Sequence, residues 1–249
     1  MTNNKSVANL SFGYAGELTP QKFRGSATTQ DLRGLNRILE PIKSYNLSKM
    51  IDLGCSYGDL TSYIARDLNI NNVCGIDIDT ERLLQAKTRG INTYKLDLNK
   101  DTLPFADGYF DLVTSFGALE HLIYFDNFFS ECFRVLSAGG YIIIAMPNLA
   151  SYINRIALLF GYQPRDVEIT QKALPGTLPY YHYRSDFFGH IHSATLGSMK
   201  QLMKHYGFRA IKVNPSSPYQ NNKLVKVLDK IFSLSPRLSR RFIILGRKI

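Results

Sequence analysis

Short apolar runs alternate with segments of helical periodicity from about residue 30 to residue 146, and this alternation constrains the fold more than any other feature of the chain. Such alternation is typical of βαβ units, which build a parallel sheet covered by helices on both faces. The apolar runs predict five strands, at Lys49–Leu53, Asn72–Asp77, Asn92–Lys95, Phe110–Phe116 and residues 141–145. The periodic segments predict helices at residues 29–45, 58–68, 80–88 and 126–136. We therefore expect a doubly wound α/β domain.

The alternation stops after the fifth predicted strand, and residues 147–193 carry no regular strand pattern, so we interpret them as an insertion. A further helix is predicted between Thr195, a favourable N-cap, and Gly207, a favourable stop. The rest of the chain predicts a sixth strand at residues 208–213 and a last strand at residues 241–245. Between them we predict a second insertion, residues 220–240, which contains an amphipathic stretch at residues 224–234.

The predicted domain spans residues 46–249 and is preceded by an N-terminal segment and helix, residues 1–45. Phe12, Tyr14 and Phe23 make this segment more aromatic than a plain tail. We therefore predict that it closes over a ligand as a lid.

The chain has a net charge of +10, which favours anionic partners such as phosphorylated substrates, nucleic acid or a lipid surface. Residues 223–248 contain eight Lys or Arg and a single acid, Asp229, so the charge is concentrated late in the chain. The amphipathic stretch within this region has a composition suited to an anionic membrane surface. No apolar run reaches the length of a spanning helix, and the N-terminus shows no targeting pattern, so we expect a soluble, cytoplasmic protein with three reduced cysteines.

The stretch MIDLGCSYGDL joins the first predicted strand to a turn of small residues. In doubly wound sheets, ligands bind at such a turn, outside the carboxyl end of the strand. Here only Gly54 and Gly58 are glycines, so the G-x-G-x-x-G pattern of dinucleotide-binding turns and the Lys-Ser or Lys-Thr of phosphate-binding loops are both missing. Asp52, at the strand end, disfavours a pyrophosphate and suits a cation.

At this point the chain resembles the class I SAM-dependent methyltransferases (SAM, S-adenosylmethionine), in particular their type 11 and type 23 groups. Their first motif runs acid, any, Gly, any, small, any, Gly, and this chain has Ser56 at the usual middle glycine. Asp77 in VCGIDID ends the second predicted strand, and Asp97 in YKLDLNKDTLPF lies just after the third. FDLVTSFGALEHL and RVLSAGGYIIIAMPN match the fourth and fifth strand motifs. The resemblance covers residues 45–148 and extends through GHIH and TLGSMKQLMKHYGF to about residue 213.

The resemblance implies a seven-stranded, mostly parallel Rossmann-like sheet of order 3-2-1-4-5-7-6, and SAM as cofactor. It implies that Asp52 binds the amino group of SAM, Asp77 its ribose hydroxyls and Asp97 its adenine amino group. The predicted cofactor-binding residues are Asp52, Gly54, Cys55, Ser56, Gly58, Asp77, Ile78, Asp97, Leu98 and Phe116.

Methyl transfer from a sulfonium ion mainly requires alignment and exclusion of water. If the acceptor is a hydroxyl, a general base near the methyl group helps to remove its proton. The candidate catalytic residues are Glu120, His121, His190 and His192. Some relatives bind a divalent metal through an E-x-x-E-H cluster at this place, but Gly117 replaces the first Glu and we predict no metal. His121 could equally have a purely positional role.

The first insertion follows the fifth strand, where it can fold over the methyl group and determine the acceptor. Its aromatic and cationic residues offer stacking surface and hydrogen-bond donors. The predicted substrate-binding residues are Tyr152, Arg155, Tyr181, Tyr183 and Arg184. The expected acceptor is a hydroxyl of a small molecule, such as a sugar, a glycolipid, an isoprenoid or a secondary metabolite.

Three other functions fit parts of the sequence. The basic charge would serve a nucleic-acid methyltransferase, although the fourth strand ends in SFGA instead of the N/D-P-P-Y box of base-amine methyltransferases, and no RNA-binding module is recognisable. The intact cofactor motif would equally serve a SAM-binding partner subunit without turnover. A nicotinamide-dependent dehydrogenase is the third alternative, and it would bind NADH.

Overall fold

The computed structural model describes residues 29–170, 172–179, 189–216 and 222–249. The strands are β1 Lys49–Leu53, β2 Asn72–Asp77, β3 Asn92–Lys95, β4 Phe110–Phe116, β5 Leu136–Pro147, β6 Phe208–Ser216 and β7 Arg241–Lys248. The helices are α1 Thr29–Leu39, α2 Asp59–Asp67, α3 Thr80–Lys87, α4 Asp126–Val135, α5 Tyr152–Leu159, α6 Leu196–His205 and α7 Lys223–Phe232. Two short 3-10 turns, Glu40–Ile42 and Leu119–His121, complete the regular structure of these ranges.

The seven strands form one sheet of order β3-β2-β1-β4-β5-β7-β6, which confirms the predicted fold and strand order. Strands β1 to β5 pair in parallel, whereas β7 pairs antiparallel with both β5 and β6. The first four strands have the predicted bounds. The fifth is longer than predicted, because it begins at Leu136 directly after α4 and continues through the two glycines that precede Tyr141.

Helices cover both faces of the sheet, because successive side chains of each strand point to opposite sides. Ile51 of β1 belongs to a core cluster with residues of α4 and α6, whereas its neighbour Met50 belongs to a second cluster with residues of α1, α2 and α3. This arrangement places the carboxyl ends of the parallel strands at one edge of the domain.

Helix ends follow local chemistry. The Thr195 side chain accepts a hydrogen bond from the Ser198 N–H, which confirms the predicted N-cap of α6. Gly207 ends that helix with a φ of +81°, and a Cβ there would lie 2.5 Å from the Phe133 ring. Helix α1 ends at Leu39, earlier than predicted, because Pro41 disfavours the helical conformation of the residue before it.

Helix α1 is part of the core, since Leu35, Ile38 and Leu39 are fully buried and the Asn214 side chain donates to the Gly34 carbonyl. The predicted lid residues Phe12, Tyr14 and Phe23 lie outside the described residues. The first insertion contains a helix, α5, and the second contains α7. Among the helices in the described ranges, none has both the length and the hydropathy that crossing a membrane requires.

Candidate functional site

A cavity of about 370 Å³ opens at the carboxyl ends of β1, β2, β3 and β4. This is the edge at which doubly wound sheets bind their ligands. The lining residues come from the end of β2, from the segments after the four strands and from the first turn of α3. They are Gly54, Asp77, Ile78, Arg82, Leu96, Asp97, Leu98, Asn99, Gly117, Ala118, His121 and Leu122. Five of the ten predicted cofactor residues are among them.

The turn after β1 requires its glycines. Gly54 has a φ of +83°, and a Cβ at this position would lie 2.5 Å from the Cβ of Ala118. Gly58 has a φ of +76° and packs against Ala86 of α3 and against Ile91, which precedes β3. Ser56 also adopts a positive φ, +49°, at the position where the resembling family usually has glycine. The turn therefore brings bare backbone to the cavity wall.

Asp52 does not line the cavity. Its side chain is buried, and its two carboxylate oxygens each accept a hydroxyl, one from Thr61 and the other from Thr114 at 2.8 Å. Burial raises the pKa of the Asp52 carboxyl to about 6, although the two hydroxyls act in the opposite direction. The structure thus gives Asp52 a role in fixing the base of the turn, and its expected direct contact with an amino group stays a prediction.

Asp77 connects the turn to the cavity. Its Oδ2 accepts the Ser56 N–H at 2.8 Å and its Oδ1 accepts the Asp79 N–H at 3.0 Å. Each carboxylate oxygen can accept a second hydrogen bond, so the side chain can bind further donors from the cavity. Asp79 caps helix α3 through its own side chain.

Asp97 and its neighbours form the wall of the cavity beyond β3. The Asp97 Oδ1 accepts both the backbone N–H and the side-chain amide of Asn99, and these bonds lower the pKa of its carboxyl. The carboxylate therefore stays ionised at neutral pH. Ile78, 64% exposed, and Leu98 provide apolar surface beside it.

His121 is the only one of the four catalytic candidates that lines this cavity. Its Nδ1 lies 3.0 Å from the carbonyl oxygen of Gly189, in the segment that precedes α6. A carbonyl only accepts, so Nδ1 carries the hydrogen in this contact. In the neutral ring Nε2 is then the unprotonated, basic nitrogen.

The other three candidates are occupied elsewhere. Glu120 is fully buried, and its Oε1 accepts from the Arg241 guanidinium at 3.3 Å. His190 is 1% exposed, and its pKa falls to about 2 because of burial and, secondarily, the cations around it. The His192 Nε2 donates to the Ile123 carbonyl at 2.6 Å. The backbone oxygen of Glu120 and the ring of His192 hold residues 189–192 against the turn that carries His121, so these residues fit a positioning role better than a catalytic one.

Several other predicted site residues have structural contacts instead of cavity contacts. The buried Cys55 thiol packs closely against Gly75, where a Cβ would lie only 2.7 Å from the sulfur. Phe116 packs against the hydrophobic core. Tyr152 stacks on Phe232 and donates to Asp229, and the Arg155 Nε donates to the Ala150 carbonyl. Tyr181, Tyr183 and Arg184 lie outside the described residues.

Comparison with known proteins identifies the domain. A family model described as a methyltransferase domain, of type 11, matches residues 51–144. A probable S-adenosylmethionine-dependent methyltransferase of Mycolicibacterium smegmatis is 32% identical over 106 residues, which cover 41% of this chain and 39% of that protein. Residues 51–144 form a class I SAM-dependent methyltransferase domain.

A second curated relative and a solved structure are also similar to this chain. Phthiotriol/phenolphthiotriol dimycocerosates methyltransferase 1 of Mycobacterium ulcerans is 30% identical over 98 residues, which cover 38% of this chain and 36% of that protein. The chain thus spans about two fifths of the length of the curated relatives it matches. A SAM-dependent methyltransferase structure from Mesorhizobium loti has a TM-score of 0.60 at 18% identity, with 88% of this chain and 98% of that chain covered, and supports the fold.

The cavity of the methyltransferase domain fits SAM, the cofactor of this family. Two carboxylates, Asp77 and Asp97, suit a ligand that is cationic and carries hydroxyl and amino donors. Ile78 and Leu98 suit an adenine ring, and the bare backbone at Gly54 and Gly117 allows close approach. Within the described ranges, no three His, Cys, Asp or Glu side chains lie close enough together to hold a metal ion.

Sequence reasoning missed several residues of the site. Arg82, Asn99 and Leu122 line the cavity, and the Gly189 carbonyl orients His121 across a separation of 68 positions in the chain. Only Thr114 carried a usable signal, because a hydroxyl inside the apolar strand FDLVTSF indicates a buried polar partner.

Asp52→Asn should make the stability of the domain less dependent on pH. Because the pKa of Asp52 is about 6 in the folded protein and near 3.8 ordinarily, the folded state retains a proton that the unfolded chain loses between about pH 4 and pH 6. The free energy of unfolding therefore falls as pH rises through this window, by on the order of 2 to 3 kcal/mol. Asparagine does not ionise; one of the Thr61 and Thr114 hydroxyls can still donate to its amide oxygen, and the other can accept a hydrogen bond from its NH₂ group.

Urea unfolding at pH 4.5 and pH 7.5 measures this difference. Asp107→Asn is the matched control, because the Asp107 side chain is 82% exposed. We expect the loss of stability between the two pH values to shrink only in Asp52→Asn. If the stability of that variant depends on pH as the wild type does, burial does not raise the pKa of the Asp52 carboxyl as described.

Proposed function

We propose that this protein transfers a methyl group from SAM to a hydroxyl group of a small-molecule acceptor. The observation that carries the proposal is the position of His121, which lines the same cavity as Asp77 and Asp97 while its Nδ1 lies 3.0 Å from the Gly189 carbonyl. A basic nitrogen and a cofactor-binding wall thus share one cavity.

Three side chains bind the cofactor in this proposal. Asp77 accepts the ribose hydroxyls, and its bonds to the Ser56 and Asp79 N–H groups keep the carboxylate in place. Asp97 accepts the adenine amino group, and Leu98 packs against the ring. The Asn99 donors keep Asp97 ionised, which suits it to accept a hydrogen bond.

SAM, when bound, supplies an electrophilic methyl group, so the protein's tasks are alignment, water exclusion and removal of one proton. His121 removes that proton. With Nδ1–H donated to the Gly189 carbonyl, Nε2 accepts the proton that the acceptor hydroxyl loses. Glu120 lies next to it in the same 3-10 turn and anchors residues 189–192, because its backbone oxygen accepts the N–H groups of Ile191 and His192 at 2.8 and 3.2 Å.

The cavity supports a small acceptor of partly apolar character. Leu122 directly follows His121 in the chain and adds apolar surface beside the proposed base, whereas Ile78 and Leu98 belong to the proposed adenine site. The Mycobacterium ulcerans relative is named for a lipid substrate, phthiotriol or phenolphthiotriol dimycocerosates. We propose a sugar, glycolipid, isoprenoid or secondary metabolite as the acceptor class.

Two measurements test the proposal in sequence. Isothermal titration with SAM, with NADH as the control ligand, should show binding of SAM alone. Transfer of a radiolabelled methyl group is then followed over a panel of hydroxyl acceptors, quinone-type carbon acceptors and RNA. Labelling of a hydroxyl acceptor supports the proposal. Labelling only of carbon or of RNA, or SAM binding without any transfer, would overturn the hydroxyl assignment.

A further inference from the structure

Helix α7 exposes an apolar stripe that the methyltransferase domain does not use. Leu224, Val227 and Ile231 are 67%, 54% and 52% exposed. They are three and four positions apart, so they lie on one face of the helix. Another face of the same helix is anchored, because Leu228 and Phe232 pack against Tyr152 and Ile153 of α5. The exposed stripe is therefore held in place by packing on the other side of the helix.

Three lysines flank this stripe along the helix. Lys223, Lys226 and Lys230 each precede a stripe residue by one position, and all three are exposed. The single acid of residues 223–248, Asp229, is buried, accepts the Tyr152 hydroxyl at 2.9 Å and faces Arg240 at 3.5 Å. The surface of α7 thus presents positive charge with no acid of its own helix to offset it.

Helix α5, which packs against α7 through Tyr152 and Ile153, also has exposed apolar residues at its other end. Its Tyr152 ring stacks on Phe232 with ring centroids 4.5 Å apart. The carboxyl end of α5 exposes Leu158, Leu159 and Phe160, at 57%, 78% and 69%. A contiguous apolar stripe such as that of α7 is typical of an interaction site, whereas single exposed apolar side chains are common on protein surfaces.

We propose that the exposed face of α7, defined by Leu224, Val227 and Ile231 with Lys223, Lys226 and Lys230, docks on an anionic lipid membrane. The flanking lysines decide between occupants, because an apolar stripe bordered by cations matches the interface between acyl chains and negatively charged headgroups. A second copy of this chain would bring the same cations against themselves. The inference is independent of methyl transfer and of the acceptor.

Vesicle co-sedimentation without SAM tests the proposal. The vesicles are phosphatidylcholine with about 30% phosphatidylglycerol, compared with pure phosphatidylcholine. The wild-type chain should pellet with the anionic vesicles only. The variant Leu224→Ser with Ile231→Ser, and the variant Lys223→Gln with Lys226→Gln and Lys230→Gln, should each lower the partition coefficient at least about tenfold.

Matched controls show whether binding depends on this surface or only on the total charge and the number of exposed apolar residues. Leu84→Ser with Ile211→Ser removes two exposed apolar residues elsewhere, and Lys87→Gln with Lys200→Gln and Lys204→Gln removes the same charge from other helices. Both controls should bind as the wild type does. Absence of binding to anionic vesicles, or an equal loss in the controls, would overturn the proposal. So would a wild-type dimer that the Leu224 and Ile231 variant dissociates without any change in vesicle binding.

Discussion

Asp77→Ala should weaken SAM binding by at least about 100-fold. In the proposed function this carboxylate accepts the ribose hydroxyls of SAM, and it also holds the glycine turn through the Ser56 N–H at 2.8 Å. Hydrogen bonds to a charged acceptor contribute about 1.5 to 3 kcal/mol each, so loss of two corresponds to about 100-fold or more in the dissociation constant. Isothermal titration calorimetry measures the affinity.

Two further variants make the Asp77 experiment decisive. Asp77→Asn keeps an acceptor oxygen without the charge, so its affinity should lie between those of the wild type and Asp77→Ala. Asp107→Ala removes an acid whose side chain is 82% exposed and which does not line the cavity, and it should leave binding unchanged. If Asp77→Ala folds and binds SAM within about threefold of the wild type, the proposed ribose contact is wrong.

His121→Ala should lower the rate of methyl transfer on the order of 100-fold, which is the usual contribution of a general base. The affinity for SAM should change little, because the proposed role of His121 is toward the acceptor hydroxyl. Single-turnover transfer to the identified acceptor measures the rate, and titration of the same variant measures SAM binding.

A surface histidine provides the control for this prediction, and two results would contradict it. His205→Ala, at the exposed end of α6, should leave both quantities unchanged. If His121→Ala loses SAM affinity and rate together, His121 positions the loop after β4 instead of moving a proton. If the rate is unchanged in a folded variant, the hydroxyl mechanism needs another base.

The two outcomes are separable because the two side chains act on different parts of the cavity. Asp77 belongs to the wall made by β1 and β2, whereas His121 belongs to the turn after β4 and contacts residue 189 of the insertion. A loss of SAM affinity therefore reports on the contact made by Asp77, and a loss of methyl-transfer rate at unchanged SAM affinity reports on the role of His121. Neither measurement depends on the proposed membrane surface.

The order of the secondary structure elements and the place of two acids at one edge of the sheet could be predicted from the sequence, because both depend on local patterns. Strand and helix periodicities define the sheet, and the acids Asp77 and Asp97 directly end or follow short strands whose carboxyl ends meet at one edge. Glycine positions were equally readable, since a turn with positive φ selects for residues without a Cβ. These features need few or no distant partners.

Only the tertiary structure decided which candidates face the cavity. Asp52 and His121 were both predicted site residues, yet Asp52 is buried under the hydroxyls of Thr61 and Thr114 while His121 lines the cavity. The tautomer of His121 depends on the Gly189 carbonyl, and the role of Glu120 depends on Arg241, a residue 121 positions away. Contacts at such separations leave no periodic signal in the chain. Burial and hydrogen-bond partners, which determine whether a titratable group is available for chemistry, become visible only when the sheet has brought those segments together.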